Sequence, residues 1–440
     1  MPVNGMCRRG DGRRGEPWPR YSAAVTAPSL SRRLGLGDAV FIGLGSMIGA
    51  GVFAAFAPAA AAAGSGLLIG LALAAVVAFG NATSSAQLAA AHPTSGGTYA
   101  YGRAELGPWW GFVAGWGFVI GKTASCAAMA LTFAAYAAPE GWERVVAAVA
   151  VVALATVNWF GVTRTAALTR VIVVVVLLCL TVAVAAAGTA PRADVLGADA
   201  LWTGGWYGIL QSAGLLFFAF AGYARIATMG EEVRDPERTI PRAIVLAFAG
   251  AVVVYAVVGI SVLTALGPDA TAASTEPVAD AVAGSAWPWA EPIVRVGAAA
   301  ASLGALLALI AGIGRTTFAM AREGDLPHAL AAVHPRWRVP HRAEAVVATI
   351  VVGVVLLVDL RGAIGFSSFG VLLYYFVANV AASRQRGAVR RYPRMLQAIG
   401  AAGCGILCLT LPWQSVVAGV AVVGAGVLYR LVRRRVTRAA

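Results

Sequence analysis

The stretch Gly43-Leu44-Gly45-Ser46-Met47-Ile48-Gly49-Ala50-Gly51-Val52-Phe53 lies inside the first long apolar segment, at about 37–62. Four of its first nine residues are glycine, and each costs up to about 1 kcal/mol in a helix interior. Such a run marks a close packing face, as Gly45-xxx-Gly49 would, or a place where the helix opens. An opened helix in a membrane leaves N–H and C=O groups that protein or a water-filled cavity must satisfy. The sequence therefore predicts a break over Ser46–Gly51 whose freed backbone binds a solute.

The chain around this stretch is membrane-like throughout. Of 440 residues, 59% are hydrophobic and 12% charged, against about 25% charged in soluble domains. The net charge of +14 does not mark a nucleic-acid binder. The arginines fall in short loops and at the two ends, which is how membrane orientation is encoded. Residues 1–35 read as a disordered, Arg-rich cytoplasmic tail, and 433–440 as a basic cytoplasmic tail. The five cysteines (Cys7, Cys126, Cys179, Cys404, Cys408) show no metal or disulfide spacing. No metal and no cofactor is expected.

Twelve spans are predicted, at about 37–62, 66–89, 108–137, 143–161, 167–187, 206–229, 242–266, 292–313, 343–359, 363–382, 393–410 and 413–431. Arginines crowd every second loop, including Arg164, Arg234, Arg238, Arg315, Arg322 and Arg384. The loop at 267–291 has four acids and no Lys or Arg. Both termini are therefore expected in the cytoplasm of a multi-pass plasma-membrane protein. Tryptophans near span ends, such as Trp109 and Trp206, fit interfacial belts.

The sixth span is also irregular. Its aromatic run Phe217-Phe218-Ala219-Phe220-Ala221-Gly222 is followed within the span by Arg225, and a lipid-facing helix would not carry that charge. Spans one and six stand at corresponding positions of two five-span halves of opposite orientation. Interrupted helices so placed point to a substrate site at mid-membrane. Half-helix N-termini suit an anion and half-helix C-termini a cation, so two facing breaks suit a zwitterion.

Four stretches, taken in order, resemble the amino acid–polyamine–organocation (APC) superfamily of permeases over essentially the full length. They are Gly45–Phe53, Pro93–Tyr101, Phe217–Gly222 with Glu231–Arg242, and Met320–Pro327. The resemblance implies an all-α integral membrane fold with twelve transmembrane helices. The core would be a leucine-transporter-like 5+5 inverted repeat with helices 1 and 6 broken, plus two extra helices. The corresponding units are 36–190 and 205–385 for the repeats and 392–432 for helices 11 and 12. The substrate carboxylate would meet N–H groups at Gly49, Ala50 and Gly51. The ammonium would meet carbonyls at Met47, Phe218 and Ala221, with Phe218 or Phe220 as an aromatic gate. Ser46, Ala219 and Gly222 complete the expected substrate set. Two departures concern coupling: Ala224 stands where some relatives carry an acid, and 171–184 lacks the lysine of some proton-coupled relatives.

The chain's only lysine, Lys122, lies about fourteen residues into the third span, which is roughly mid-membrane at 1.5 Å per residue. It is a coupling-cation candidate, or else a structural cap on half-helix carbonyls. The chain thus reads as a permease for an amino acid, coupled to a proton or exchanging a counter-substrate, with neutral substrates favoured. Alternatives are a basic amino acid or polyamine antiporter and a non-transporting amino acid sensor. An intramembrane enzyme lacks a nucleophile, acid–base pair or metal set. Glu231, Glu232 and Arg234 are candidates for gate ion pairs with the loop after span eight. The expected partners are substrate, proton or counter-substrate, and the bilayer.

Overall fold

The computed structural model describes residues 34–92, 96–161, 166–227, 229, 232–387 and 390–439. Cys7, Pro93–Ser95, Arg164, Glu231 and nearly all of the N-terminal tail lie outside these residues. Among the described residues the chain is helical, with one isolated backbone bridge between Leu34 and Val233.

The helices follow in order: α1 (Leu36–Met47), α2 (Gly51–Ala54), α3 (Phe56–Ala63), α4 (Leu67–Ala91), α5 (Gly97–Leu106) and α6 (Pro108–Ala137). Next come α7 (Glu143–Trp159), α8 (Ala166–Ala187), α9 (Ala198–Trp202), α10 (Gly205–Phe220), α11 (Ala224–Ala227) and α12 (Pro236–Ala273). Last are α13 (Pro277–Ala283), α14 (Glu291–Arg322), α15 (His341–Leu357), α16 (Leu360–Arg384), α17 (Arg394–Thr410) and α18 (Trp413–Ala439). Nine segments among the described residues are long and apolar enough to cross a membrane. The predicted spans at 143–161, 343–359 and 393–410 form α7, α15 and α17, of 17 residues each, just short of a typical crossing of about 20.

Burial separates a core from a periphery. The apolar windows of α6 and α16 are 78% buried, whereas that of α18 is 22% buried. α6 runs through the middle of the bundle, against α14 and α16. Its start is sharp because Pro108 occupies the first turn, where its missing N–H costs nothing. The chain reaches it through Gly107 at φ 101°, a conformation that disfavours any side chain. α16 begins on Asp359, whose carboxylate accepts the Gly362 N–H at 3.0 Å as an N-cap.

Two expected loops are more ordered than their composition implied. The acidic stretch at 267–291 carries the end of α12, kinked at Gly267 and Pro268, and then α13. α13 is short, but its Val278, Ala279, Ala281 and Val282 are all buried, so packing holds what propensity alone would not. The stretch between the spans predicted at 66–89 and 108–137 forms the ten-residue α5.

The gate pairs expected of Glu232 and Arg234 with the loop after α14 are not made among the described residues. That loop pairs instead with α5 and α18. Asp325, 4% exposed, accepts from the Tyr99 hydroxyl (2.9 Å), Arg103 (3.1 Å) and Arg430 (2.8 Å). Removing one partner of a buried pair strands the other charge, at about 3–5 kcal/mol. Asp325→Ala should therefore lower the melting temperature of the detergent-solubilised protein by several degrees. An unchanged melt would show that Arg430 finds other compensation.

Candidate substrate site at two interrupted helices

The break in the glycine-rich stretch is shorter than the sequence implied. α1 continues to Met47, and the helical bond from Ile48 N–H to the Leu44 carbonyl is made at 2.7 Å. Ser46 stays helical, its hydroxyl returning to the Ile42 carbonyl at 2.8 Å. Only Ile48, Gly49 and Ala50 leave the helix, with Ile48 at φ −78° and ψ 55°. Gly49 N–H turns back to the Met47 carbonyl at 2.8 Å, so it is spent within the chain. The N–H groups of Ala50, Gly51 and Val52 make no hydrogen bond among the described residues.

The second break follows α10. Phe218, Ala219 and Phe220 form its last turn, and Ala221–Tyr223 tighten into a 3₁₀ turn before α11. The two breaks are in direct contact. A methyl group on Gly222 would stand 2.2 Å from the Ser46 carbonyl oxygen. One on Gly51 would stand 2.7 Å from Ala219 Cα. Glycine is needed here because backbone meets backbone with no room for a Cβ.

Three side chains fasten the junction. The Tyr255 hydroxyl, from α12, lies 2.7 Å from the Met47 carbonyl oxygen and 2.8 Å from that of Ala219. It has one proton to donate and so serves the two carbonyls in turn. Lys122 of α6 is buried and donates to the Ala221 carbonyl at 3.1 Å. The Tyr375 hydroxyl, from α16, reaches the same oxygen at 3.3 Å. A cation on the carbonyl end of α10 is placed favourably for the helix dipole.

The structure brings the ten expected substrate residues together at this junction. Met47, Gly49, Ala50, Gly51, Phe218, Ala219, Phe220 and Ala221 are buried; Ser46 and Gly222 are half-buried. It distinguishes the two aromatic candidates. The Phe220 ring packs on Phe248 and Tyr255 with centroids 5.7 and 5.0 Å away, which makes it part of the wall against α12. Phe218 retains 7% exposure and makes no such ring pair among the described residues. Three carbonyls near the expected ammonium position, those of Met47, Ala219 and Ala221, already accept protein donors.

Tyr255, Tyr375 and Tyr136 were not singled out from the sequence. Tyr136 donates to the Phe53 carbonyl at 3.0 Å, on the far side of α2. A usable signal was present, since a tyrosine inside an apolar span must find a partner for its hydroxyl. A second missed feature is a polar seam between α4 and α16, where Asn379 Nδ2 donates to Asn81 Oδ1 at 2.6 Å and Ser84 donates to Asn379 Oδ1 at 2.7 Å.

Residues 38–436 match the amino acid permease family. An uncharacterized transporter of Mycobacterium tuberculosis is 57% identical over 411 residues, covering 93% of each chain. A branched-chain amino acid permease of Bacillus subtilis is 26% identical, covering 88% of this chain and 90% of its own. A methylthioribose transporter of the same bacterium is 28% identical over 84% of each chain. The family is one of transporters rather than enzymes. With apolar helices throughout, two interrupted helices meeting in its interior and this match over most of its length, the chain is a multi-pass membrane protein and belongs to the amino acid permease family.

Proposed function

We propose that this protein is a secondary transporter that carries a neutral amino acid across the plasma membrane by alternating access. The observation that carries the proposal is the meeting of two opened helices, with unspent N–H groups at Ala50 and Gly51 beside the carbonyl end of α10. The N–H groups suit a carboxylate, because a helix start carries partial positive charge. The carbonyl end suits an ammonium. Ser46, Met47, Gly49, Ala50, Gly51, Phe218, Ala219, Phe220, Ala221 and Gly222 form the site, and Phe218 is its aromatic cover. The twelve-span, 5+5 inverted-repeat topology belongs to this reading as what the family resemblance implies, and the cytoplasmic placement of both termini rests on loop charge.

One feature favours a neutral substrate. Lys122 already places a positive charge against the Ala221 carbonyl, so a second positive charge beyond the substrate's own ammonium would be repelled. The relatives' names do not decide it, because one is named a branched-chain amino acid permease and another a cationic amino acid transporter. The direct test is uptake of labelled amino acids into proteoliposomes. Accumulation of a neutral amino acid is expected. Binding without movement of label would make the protein a sensor, and competition by lysine or a polyamine alone would make it a transporter of cations.

Lys122 is the coupling candidate within this reading. Its ammonium is held by backbone at the junction rather than by a carboxylate, so a proton lost or gained there alters the grip on Ala221. Lys122→Gln should abolish the pH dependence of uptake while leaving counterflow exchange measurable. A pH profile identical to wild type would reduce Lys122 to a structural cap. Tyr255→Phe removes the hydroxyl shared by Met47 and Ala219. It should cost about 1–3 kcal/mol, because two buried carbonyls lose their donor, and should raise the half-saturating substrate concentration about tenfold. Unchanged uptake and melting would show that the two breaks do not depend on this bridge.

A further inference from the structure

Away from the substrate junction, a cleft of about 440 Å³ opens where α5, α6, the α14 end and α18 converge. Its size is within the range of small-molecule sites. Arg103, Glu323, Asp325, Arg430, Arg433 and Arg434 line it, so four arginines face two carboxylates. The carboxylates are already used. Asp325 accepts from Tyr99, Arg103 and Arg430, and Glu323 accepts from Arg103 at 2.9 Å. Burial, then the Asp325 carboxylate beside it, pushes the Tyr99 phenol up, so it stays a neutral donor. Positive charge is therefore left over in the cleft.

The leftover groups are poised for an anion. Arg434 makes no ion pair among the described residues, and its guanidinium lies 4.9 Å from the centroid of the Trp109 ring. Arg430 is 3% exposed, and its guanidinium carbon lies 4.7 and 4.6 Å from the centroids of the Trp109 and Phe112 rings. Stacking covers the face of a guanidinium and leaves its in-plane N–H edge, which is the edge that grips a phosphate. The Arg430 Nε is buried without a hydrogen-bond partner among the described residues, although its other nitrogens bind Asp325 and the Pro108 carbonyl. An unpaired buried donor is unfavourable, and an acceptor reaching it from the cleft would relieve it.

The surroundings say which kind of anion. α18 is the most exposed of the candidate spans, and Leu428, Leu431 and Val432, interleaved with the arginines, are 62%, 44% and 54% exposed. Apolar side chains facing outward beside a basic cleft at the end of a span match a molecule with acyl chains below and a phosphate above. We propose that this cleft binds the phosphate-bearing headgroup of an anionic phospholipid, with the acyl chains lying along α18. The site ties the last helix to the α14 end through Asp325, so its occupant would brace the wall of the bundle. Placing it in the cytoplasmic leaflet rests on the orientation proposed above; the binding itself does not.

The test uses the full-length protein in phosphatidylcholine–detergent micelles, titrated with phosphatidylglycerol while the melting temperature is followed. A saturable rise is expected for the wild type. Arg434→Gln should raise the half-saturating mole fraction roughly fivefold, from about 1 kcal/mol per arginine near a lipid surface. Arg342→Gln, which removes an exposed charge elsewhere, should leave it within about twofold. A wild type indifferent to phosphatidylglycerol, or an equal loss in both variants, overturns the proposal. A full rise with inorganic phosphate alone assigns the cleft to a soluble phosphate and overturns the lipid. No transport is measured, so failure here is separable from failure of the transport reading.

Discussion

A single hydroxyl, that of Tyr255, stands 2.7 Å from the Met47 carbonyl and 2.8 Å from the Ala219 carbonyl. It links the ends of two helices that both stop inside an apolar bundle. A helix that stops there exposes polar backbone to surroundings that offer no water. Everything else at the junction follows from that constraint. Gly222 and Gly51 let the two breaks touch, so that each shields the other. Lys122 and Tyr375 supply donors to Ala221, and Tyr136 supplies one to Phe53. Carbonyls are thus provided for by the protein, while the N–H groups of Ala50 and Gly51 are not. The proposed carboxylate site rests on that imbalance.

The same constraint explains the unusual position of the only lysine. A charge at that depth is expensive unless it faces protein, and the carbonyl end of α10 gives it a partial negative charge to face. The contact is with backbone on a turn between α10 and α11 rather than with a fixed carboxylate. A change in that turn therefore changes the environment of Lys122 directly. In the proposed mechanism a transported ammonium would seek the same carbonyl region, and that shared preference would link substrate and charge movement.

Much of the helical framework was legible because hydropathy in a membrane chain is nearly a one-variable signal. The segment predicted at 108–137 is α6, and 167–187 differs from α8 by one residue. Helix ends beyond the apolar runs were less legible. α14 continues through Arg315 to Arg322, and the chain turns helical again after the non-helical Gly267 of α12. Glycine density located the first interruption, but its length depends on hydrogen bonds that composition does not reveal. Ser46 stays helical through its bond to Ile42. Tyr255 and Arg430 were missed for a common reason: each reads as an ordinary member of its segment, and only the fold brings a carbonyl or a carboxylate opposite.

The central claim is that the opened backbone at Ala50 and Gly51 receives the carboxylate of the transported amino acid. The most direct measurement is a structure of the protein with that amino acid bound. The account predicts carboxylate oxygens about 3 Å from the Ala50 and Gly51 nitrogens, with the Phe218 ring over the substrate. A substrate bound elsewhere in the bundle, with α1 and α2 joined into one continuous helix, would contradict it.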